Sequence, residues 1–262
     1  AWCWRVFESV SYSAVLLADQ TMMDLHQFRH SAFCLKVRMI LQVKGLSYQV
    51  VEVTPGLGQV ALFRLSGQRQ VPVLVDDENV LADSSTIARY LETKQPQPPL
   101  IPADPQQAAQ VHLIEDWADT TLARAVRSAL VHAAAMDPEL RLALIPEDLP
   151  PPVRQVMGDL PGGWLNGVAE IFGQGERVEL LTSLEQLAGL VQNSSWLVGD
   201  AMSLADLAVA AQISLLRFPL SAGAPLAGKG VLGLSDHPRL QPLFQWRDQL
   251  ELALFQADQV DL

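Results

Sequence analysis

The segment "KQPQPPLIPADP", Lys94 to Pro105, holds five prolines in twelve residues and splits the chain into two halves of different character. Proline fixes φ and lacks a backbone N–H, so such a run carries neither a helix nor a central strand. It reads as a stiff linker and a domain boundary. Before it, strand-like and helix-like patterns alternate. After it no strand-like alternation appears, which predicts an all-helical second half.

In the first half, "LHQFR" (Leu25 to Arg29) alternates apolar and polar residues as a strand does. From Cys34 the apolar positions Cys34, Val37, Ile40 and Leu41 recur in helical steps, with Lys36, Arg38 and Gln42 on the other faces. Gly45 is placed to end that helix. "LSYQVVEV" (Leu46 to Val53) reads as a second strand, and "VALFRL" as a weak helix. Val73 to Val75 and Val80 to Leu81 flank the turn Asp76 to Asn79 and predict a hairpin. Ser84 or Ser85 can cap a following helix whose apolar face carries Ile87, Tyr90 and Leu91. The order β-α-β-α-β-β-α is the outline of a small thiol-redox-type α/β domain.

The second half opens on a long helical pattern with Ala109, Leu113, Ile114 and Trp117 on one side. "VELLTSLEQLAGLVQ", "SLADLAVAAQISLLRF" and "HPRLQPLFQWRDQLELALF" supply further helices. Domains are therefore expected at 23–94 (α/β), 95–105 (linker) and 106–262 (helical). Residues 1–22, rich in Trp and without a basic leader pattern, are expected to lie off the fold and to be dispensable.

Hydrophobic residues make up 49% of the 262, enough for a sizeable core. A net charge of -11 disfavours nucleic acid and anionic membrane as partners. Two cysteines make no disulfide framework and fit a reducing compartment, the cytoplasm, and no paired Cys/His spacing predicts a metal site.

Three loops carry the candidate chemistry. Ser31 stands at the first turn of the first helix, where free N–H groups and the dipole favour an anion. It is either a helix cap or a hydroxyl that donates to a ligand. Cys34 lies one turn further in and shares a face with core residues, which makes it a small buried side chain. Pro72, at the mouth of a strand, fits a cis Val71–Pro72 bond that leaves the Val71 backbone free for an extended peptide-like ligand. Asp83-Ser84 sits at another helix start and is by itself a capping pair; with Ser31 and Val71-Pro72 it would give three polar loops at one end of a small sheet.

"SAFCLKVRMIL", "GQRQVPVLVDDENVLADSSTIARYLE" and "SWLVGDAMSLADLAVA" together resemble the glutathione S-transferase superfamily, with a Ser-type start similar to tau, zeta and omega members. The resemblance runs from Asp24 to Leu250. It implies a thioredoxin-like domain followed by an all-α domain, with glutathione as co-substrate, a small electrophile as second substrate and, through the family alone, a homodimer. It implies that Ser31 hydrogen-bonds the glutathione sulfur and that Val71, before cis-Pro72, pairs with the cysteinyl unit. Asp83 and Ser84 would hold the γ-glutamyl end, and Gln70 would stand near the glycyl carboxylate. Ser203 and Asp206 would form a structural capping pair. Ala32 stands where members carry proline. The segments Asp137 to Glu179 and "SAGAPLAGKGVLGLSDHP" are expected to shape the second-substrate pocket. The implied activity is a detoxifying glutathione transferase. A glutathione-dependent isomerase or reductase on this fold, or a non-catalytic binding module, are the alternatives; a reductase wants Cys at position 31.

Overall fold

The computed structural model describes residues 22–54, 58–145 and 174–255. The N-terminal segment up to residue 21 and most of the stretch from Asp137 to Glu179 lie outside the described residues, as does the expectation that the former is dispensable.

A four-stranded sheet in the order β2-β1-β3-β4 forms the first half. β1 (Met23–Gln27) is central, with alternate residues Met23, Leu25 and Gln27 buried. It ends two residues earlier than the alternation suggests. The crossover helix α1 (Ala32–Val43) leads to the parallel partner β2 (Tyr48–Glu52), and β3 (Val73–Asp76) pairs antiparallel on the other side. β2 is an edge strand and none of its residues is buried. β3 and β4 (Asn79–Ala82) form the expected hairpin, with Asp77 at positive φ in the turn. α2 (Gly58–Ser66) buries only Leu62. The Val71–Pro72 bond is cis, as is Gln97–Pro98.

Two expectations about local structure need correction. The cap of α3 (Ser84–Lys94) is neither Ser84 nor Ser85 but the first member of the Asp83–Ser84 pair: the Asp83 carboxylate accepts from the Thr86 N–H at 2.9 Å. Its side chain is one residue closer to the hairpin and fits the cap geometry, which frees both serines for other partners. The periodicity puts Lys36 off the apolar face of Cys34, Val37, Ile40 and Leu41, yet it is 0% exposed. The physical reason is that α1 has no solvent side at that level. It packs on α3 to one side and on α8 (Leu204–Ile213) to the other. Cys34, Val37, Ile40 and Leu41 are buried as the periodicity predicts. Gly45, at φ +61, ends the helix, and the Leu46 N–H returns to the Leu41 carbonyl at 3.0 Å.

The second half is helical. α4 (Pro105–Trp117) is capped by Asp104, passes through a π turn at Ala118–Leu122 and continues as α5 (Ala123–Met136). Of the apolar residues read on one side, Ile114 and Trp117 pack on the core, but the other two do not. Ala109 is exposed and Leu113 is 71% exposed, whereas Val111, Glu115, Ala118 and Leu122 face inward. The buried stripe contains a glutamate, so a search for apolar spacing alone passes over it. α6 (Pro138–Leu144), α7 (Gln174–Asn193), α8 and α9 (Gln241–Phe255) complete the described helices. Every residue of α8 is buried. At its start the Asp206 carboxylate accepts from the Ser203 N–H (2.8 Å), the Ser203 hydroxyl (2.7 Å) and the Leu197 N–H (2.8 Å), the structural cap expected. One apolar core runs through both halves, from Leu25 and Leu74 of the sheet to Leu243 and Phe244 of α9.

Candidate active site

The sheet topology brings the predicted loops together. β1 runs out towards Ser31, β3 begins just after Val71–Pro72, and β4 ends at Asp83–Ser84. His26 of β1 lies opposite Val73, and Val73 lies opposite Ala82, so all three loops leave the sheet at one end. Gln70, exposed, precedes Val71 there.

Ser31 is the N-cap of α1. Its hydroxyl oxygen accepts from the Cys34 N–H at 3.4 Å, a long bond. As an acceptor it keeps its own hydrogen for an anion arriving from outside. Both readings of Ser31 in the sequence, cap and donor, are therefore compatible in one geometry. Cys34 is fully buried behind it. Burial pushes the Cys34 thiol up, and the neighbouring Ser31 side chain and Phe28 backbone offset only part of that. Such a thiol is a poor nucleophile.

Ser31 lines a cleft between the start of α1 and the chain that follows α8. About 370 Å³ of empty space, including its open mouth, lies between Leu35 and Arg38 on one side and Ser214, Phe218 and Ser221 on the other. The segment "SAGAPLAGKGVLGLSDHP" does contribute to this wall, through Ser221 and Ala222. Gln70, Val71, Asp83 and Ser84 do not line the cleft; they lie along the sheet end beside it.

Ser84 is 3% exposed and its hydroxyl donates to Asp119 Oδ2 at 3.3 Å, so it faces the helical half. Asp83, exposed, presents its carboxylate at the cap. Ser84 belongs to a polar cluster that sequence reasoning missed. Lys36 Nζ sits 2.5 Å from Glu115 Oε1 and 2.6 Å from Asp119 Oδ2, and 3.3 Å from the Ser85 hydroxyl. Burial pushes the Asp119 carboxyl above the usual carboxylate range, against the pull of Lys36. The π turn carries Asp119 one turn beyond Glu115 on the same side of the helix. The sequence did hold a signal: "CLKVR" places two cations beside core positions, and "IEDWAD" offers acids four residues apart.

Among the described residues no group of three or more His, Cys, Asp or Glu could hold a metal ion, and no helix is long and apolar enough to cross a membrane.

A four-stranded α/β domain followed by helices, with a helix-capping hydroxyl and a cis-proline loop at one sheet end, defines a two-domain fold whose first domain is thioredoxin-like. Residues 25–99 match the family described as glutathione S-transferase, N-terminal domain. That match covers the sheet half of the chain, and likeness to solved structures extends the same fold through the helical half. It is similar to a zeta-class glutathione S-transferase of Euphorbia esula, 36% identical over 85 residues that cover 31% of this chain and 38% of the relative. It spans under half the length of several curated relatives it matches, this one included. FtsZ-localized protein A of Caulobacter vibrioides is 27% identical over 198 residues, 74% of this chain and 77% of that one. A crystal structure of a glutathione S-transferase from Rhodospirillum rubrum F11 shares the fold with a TM-score of 0.63 at 23% identity, covering 88% of each chain.

Proposed function

We propose that the protein is a glutathione transferase in which Ser31 stabilises the thiolate of bound glutathione for attack on a small electrophile. The observation that carries this reading is the position of Ser31. It caps α1, keeps its hydroxyl hydrogen for an incoming anion, and opens onto the cleft at the sheet end shared with Val71–Pro72 and Asp83–Ser84. Gln70, the Val71 backbone, Asp83 and Ser84 would hold the tripeptide along that edge, in the cytoplasm, with no metal required.

The chemistry follows from electrostatics. An ordinary thiol titrates near about 8.5. The N–H groups at the start of α1 and the Ser31 O–H favour the thiolate by charge-assisted hydrogen bonding. The sulfur then attacks the electrophile, and no covalent enzyme intermediate forms. Cys34, buried with a raised pKa, does not suit the nucleophile of a reductase.

The test is ultraviolet titration of enzyme-bound thiolate in wild type and Ser31→Ala. One hydrogen bond to a charged group is worth about 1.5–3 kcal/mol, so the bound thiol should titrate about one to two pH units higher in the variant and turnover should fall about 10- to 100-fold. Equal pKa values and equal turnover would return Ser31 to a cap alone.

A second reading is a non-catalytic binding module. One observation favours it: Ser84 is buried with its hydroxyl already engaged by Asp119. Failure to be retained on immobilised glutathione would support this reading over the first.

A further inference from the structure

We propose that Arg38, with Arg29 at the mouth, forms an anion site in the cleft beside Ser31, and that the electrophile accepted there carries a carboxylate. The proposal rests on the transferase reading for its electrophile, though not for its anion site.

The first observation is an imbalance of charge partners. Each fully buried cation, Lys36, Lys44 and Arg247, has a carboxylate within 2.7 Å. Arg38 is mostly buried and pairs with none among the described residues. Its one hydrogen bond runs to the Arg29 carbonyl at 3.3 Å, and its Nε is buried without a partner. Glu251 and Glu52 attract it only through space, without a direct ion pair. Withdrawing a guanidinium from water without a contacting counter-charge is unfavourable, so an anion entering the cleft would offset part of that cost.

The second observation is the lining. Arg29 and Arg38 both border the cleft, and no acidic side chain does. The carboxylate behind its far wall, Glu251, is already held by the hydroxyls of Ser214 (3.0 Å) and Ser221 (2.6 Å). Arg29 reaches across the mouth to Gly223, where an added Cβ would stand 3.2 Å from its Nη2. Glu52 accepts from the Arg29 backbone N–H at 2.5 Å but does not line the cleft, so in a chain of net charge -11 the cleft wall itself carries two guanidinium groups and no carboxylate. A guanidinium fork matches a carboxylate in two parallel hydrogen bonds. The rest of the wall, Leu35, Leu215 and Phe218, suits a single apolar ring.

The probe is a matched pair, 4-chloro-3,5-dinitrobenzoate and 4-chloro-3,5-dinitrobenzamide. In each the glutathione sulfur forms a bond to C4, the C4–Cl bond breaks, chloride leaves with the electron pair, and the thiol proton passes to solvent. Charge-assisted hydrogen bonds of about 1.5–3 kcal/mol predict that wild type favours the benzoate at least about 10-fold in kcat/KM. Arg38→Gln should bring that ratio to near one, Arg38→Lys should retain part of it, and Arg29→Gln should lower it by a smaller factor. A second arm measures binding of unreactive 3,5-dinitrobenzoate and 3,5-dinitrobenzamide by calorimetry without glutathione. Preferential benzoate binding lost in Arg38→Gln, with neither chloride turned over, sustains the anion site and overturns the transferase reading. Turnover of both chlorides at equal efficiency, with equal binding of the two unreactive ligands, overturns the anion site and leaves the transferase reading standing. If Arg38→Gln fails to fold, the wild-type ratio and the exposed Arg29→Gln decide.

Discussion

Lys36 and Arg38 lie two residues apart on α1, and the fold draws both cations inward. Lys36, on the side towards α3 and α4, meets two carboxylates and a serine hydroxyl. Arg38, on the side towards the cleft, meets a backbone carbonyl. The difference separates two uses of one helix. A buried charge with its partners in place holds elements together, and taking away one member leaves the others uncompensated. A buried charge that no described carboxylate contacts is left open to an anion from outside.

The largest effect that could break this contrast is at Lys36. Lys36→Met leaves Glu115 and Asp119 facing each other without a cation, and removing one member of a buried pair costs about 3–5 kcal/mol. Urea denaturation should show that loss, and Glu115→Gln added to Lys36→Met should recover part of it. An unchanged midpoint would mean that water reaches the cluster.

Next in size is a paired acid elsewhere, which asks whether the same rule holds outside α1. Asp76 is 2% exposed, and hydrogen bonds from Lys94 and Tyr90 outweigh the effect of burial and hold its carboxyl below the usual range. A depressed folded pKa means stability that is present above the unfolded value, near about 3.9, and lost as pH falls through the folded one. Asp76→Asn should cost about 1–2 kcal/mol at neutral pH, moderated because Lys94 stays in contact with water. The gap between variant and wild type should close on acidification. A gap that persists unchanged at pH 2 would contradict the assignment.

Arg38→Gln should change folding stability by less than about 1 kcal/mol, since it removes an unpaired charge from a partly dry site. A loss as large as that at Lys36 would erase the distinction between the two cations. The smallest effect belongs to Cys34. Its buried thiol, with the pKa pushed up by burial, should react slowly with iodoacetamide in the native protein, and Cys34→Ala should leave turnover in place. Fast alkylation that abolishes turnover would move the chemistry from Ser31 to Cys34.

Much of this architecture was legible in the sequence because local rules decide it. The hairpin follows from the turn between Val75 and Val80, the end of α1 from Gly45, and the switch to helices from the prolines between Lys94 and Pro105. The sheet end that gathers Ser31, Val71–Pro72 and Asp83–Ser84 follows from strand order. What stayed hidden depends on pairing across long stretches of chain. Nothing near Lys36 says that Glu115 and Asp119 will cover it, so periodicity sets the lysine off the apolar face of α1, and apolar spacing passes over Glu115 in the buried stripe of α4. The cap of α3 was displaced by one residue for a related reason, since Ser84 and Ser85 are drawn to Asp119 and Glu115. Arg38 stands in plain view in "KVR", but that no described carboxylate contacts it is visible only once the described neighbours are placed.

The same cluster also sets a rule of inheritance. Lys36, Ser84 and Ser85 come from the sheet half, and Glu115 and Asp119 from the helical half. A recombinant that joins this sheet half to the helices of a relative imports or loses charges that only the other half can match. A workable crossover between Lys94 and Pro105 must therefore carry compatible residues at positions 36, 115 and 119 as a set, and libraries shuffled at that proline-rich seam should sort by this match before they sort by overall identity.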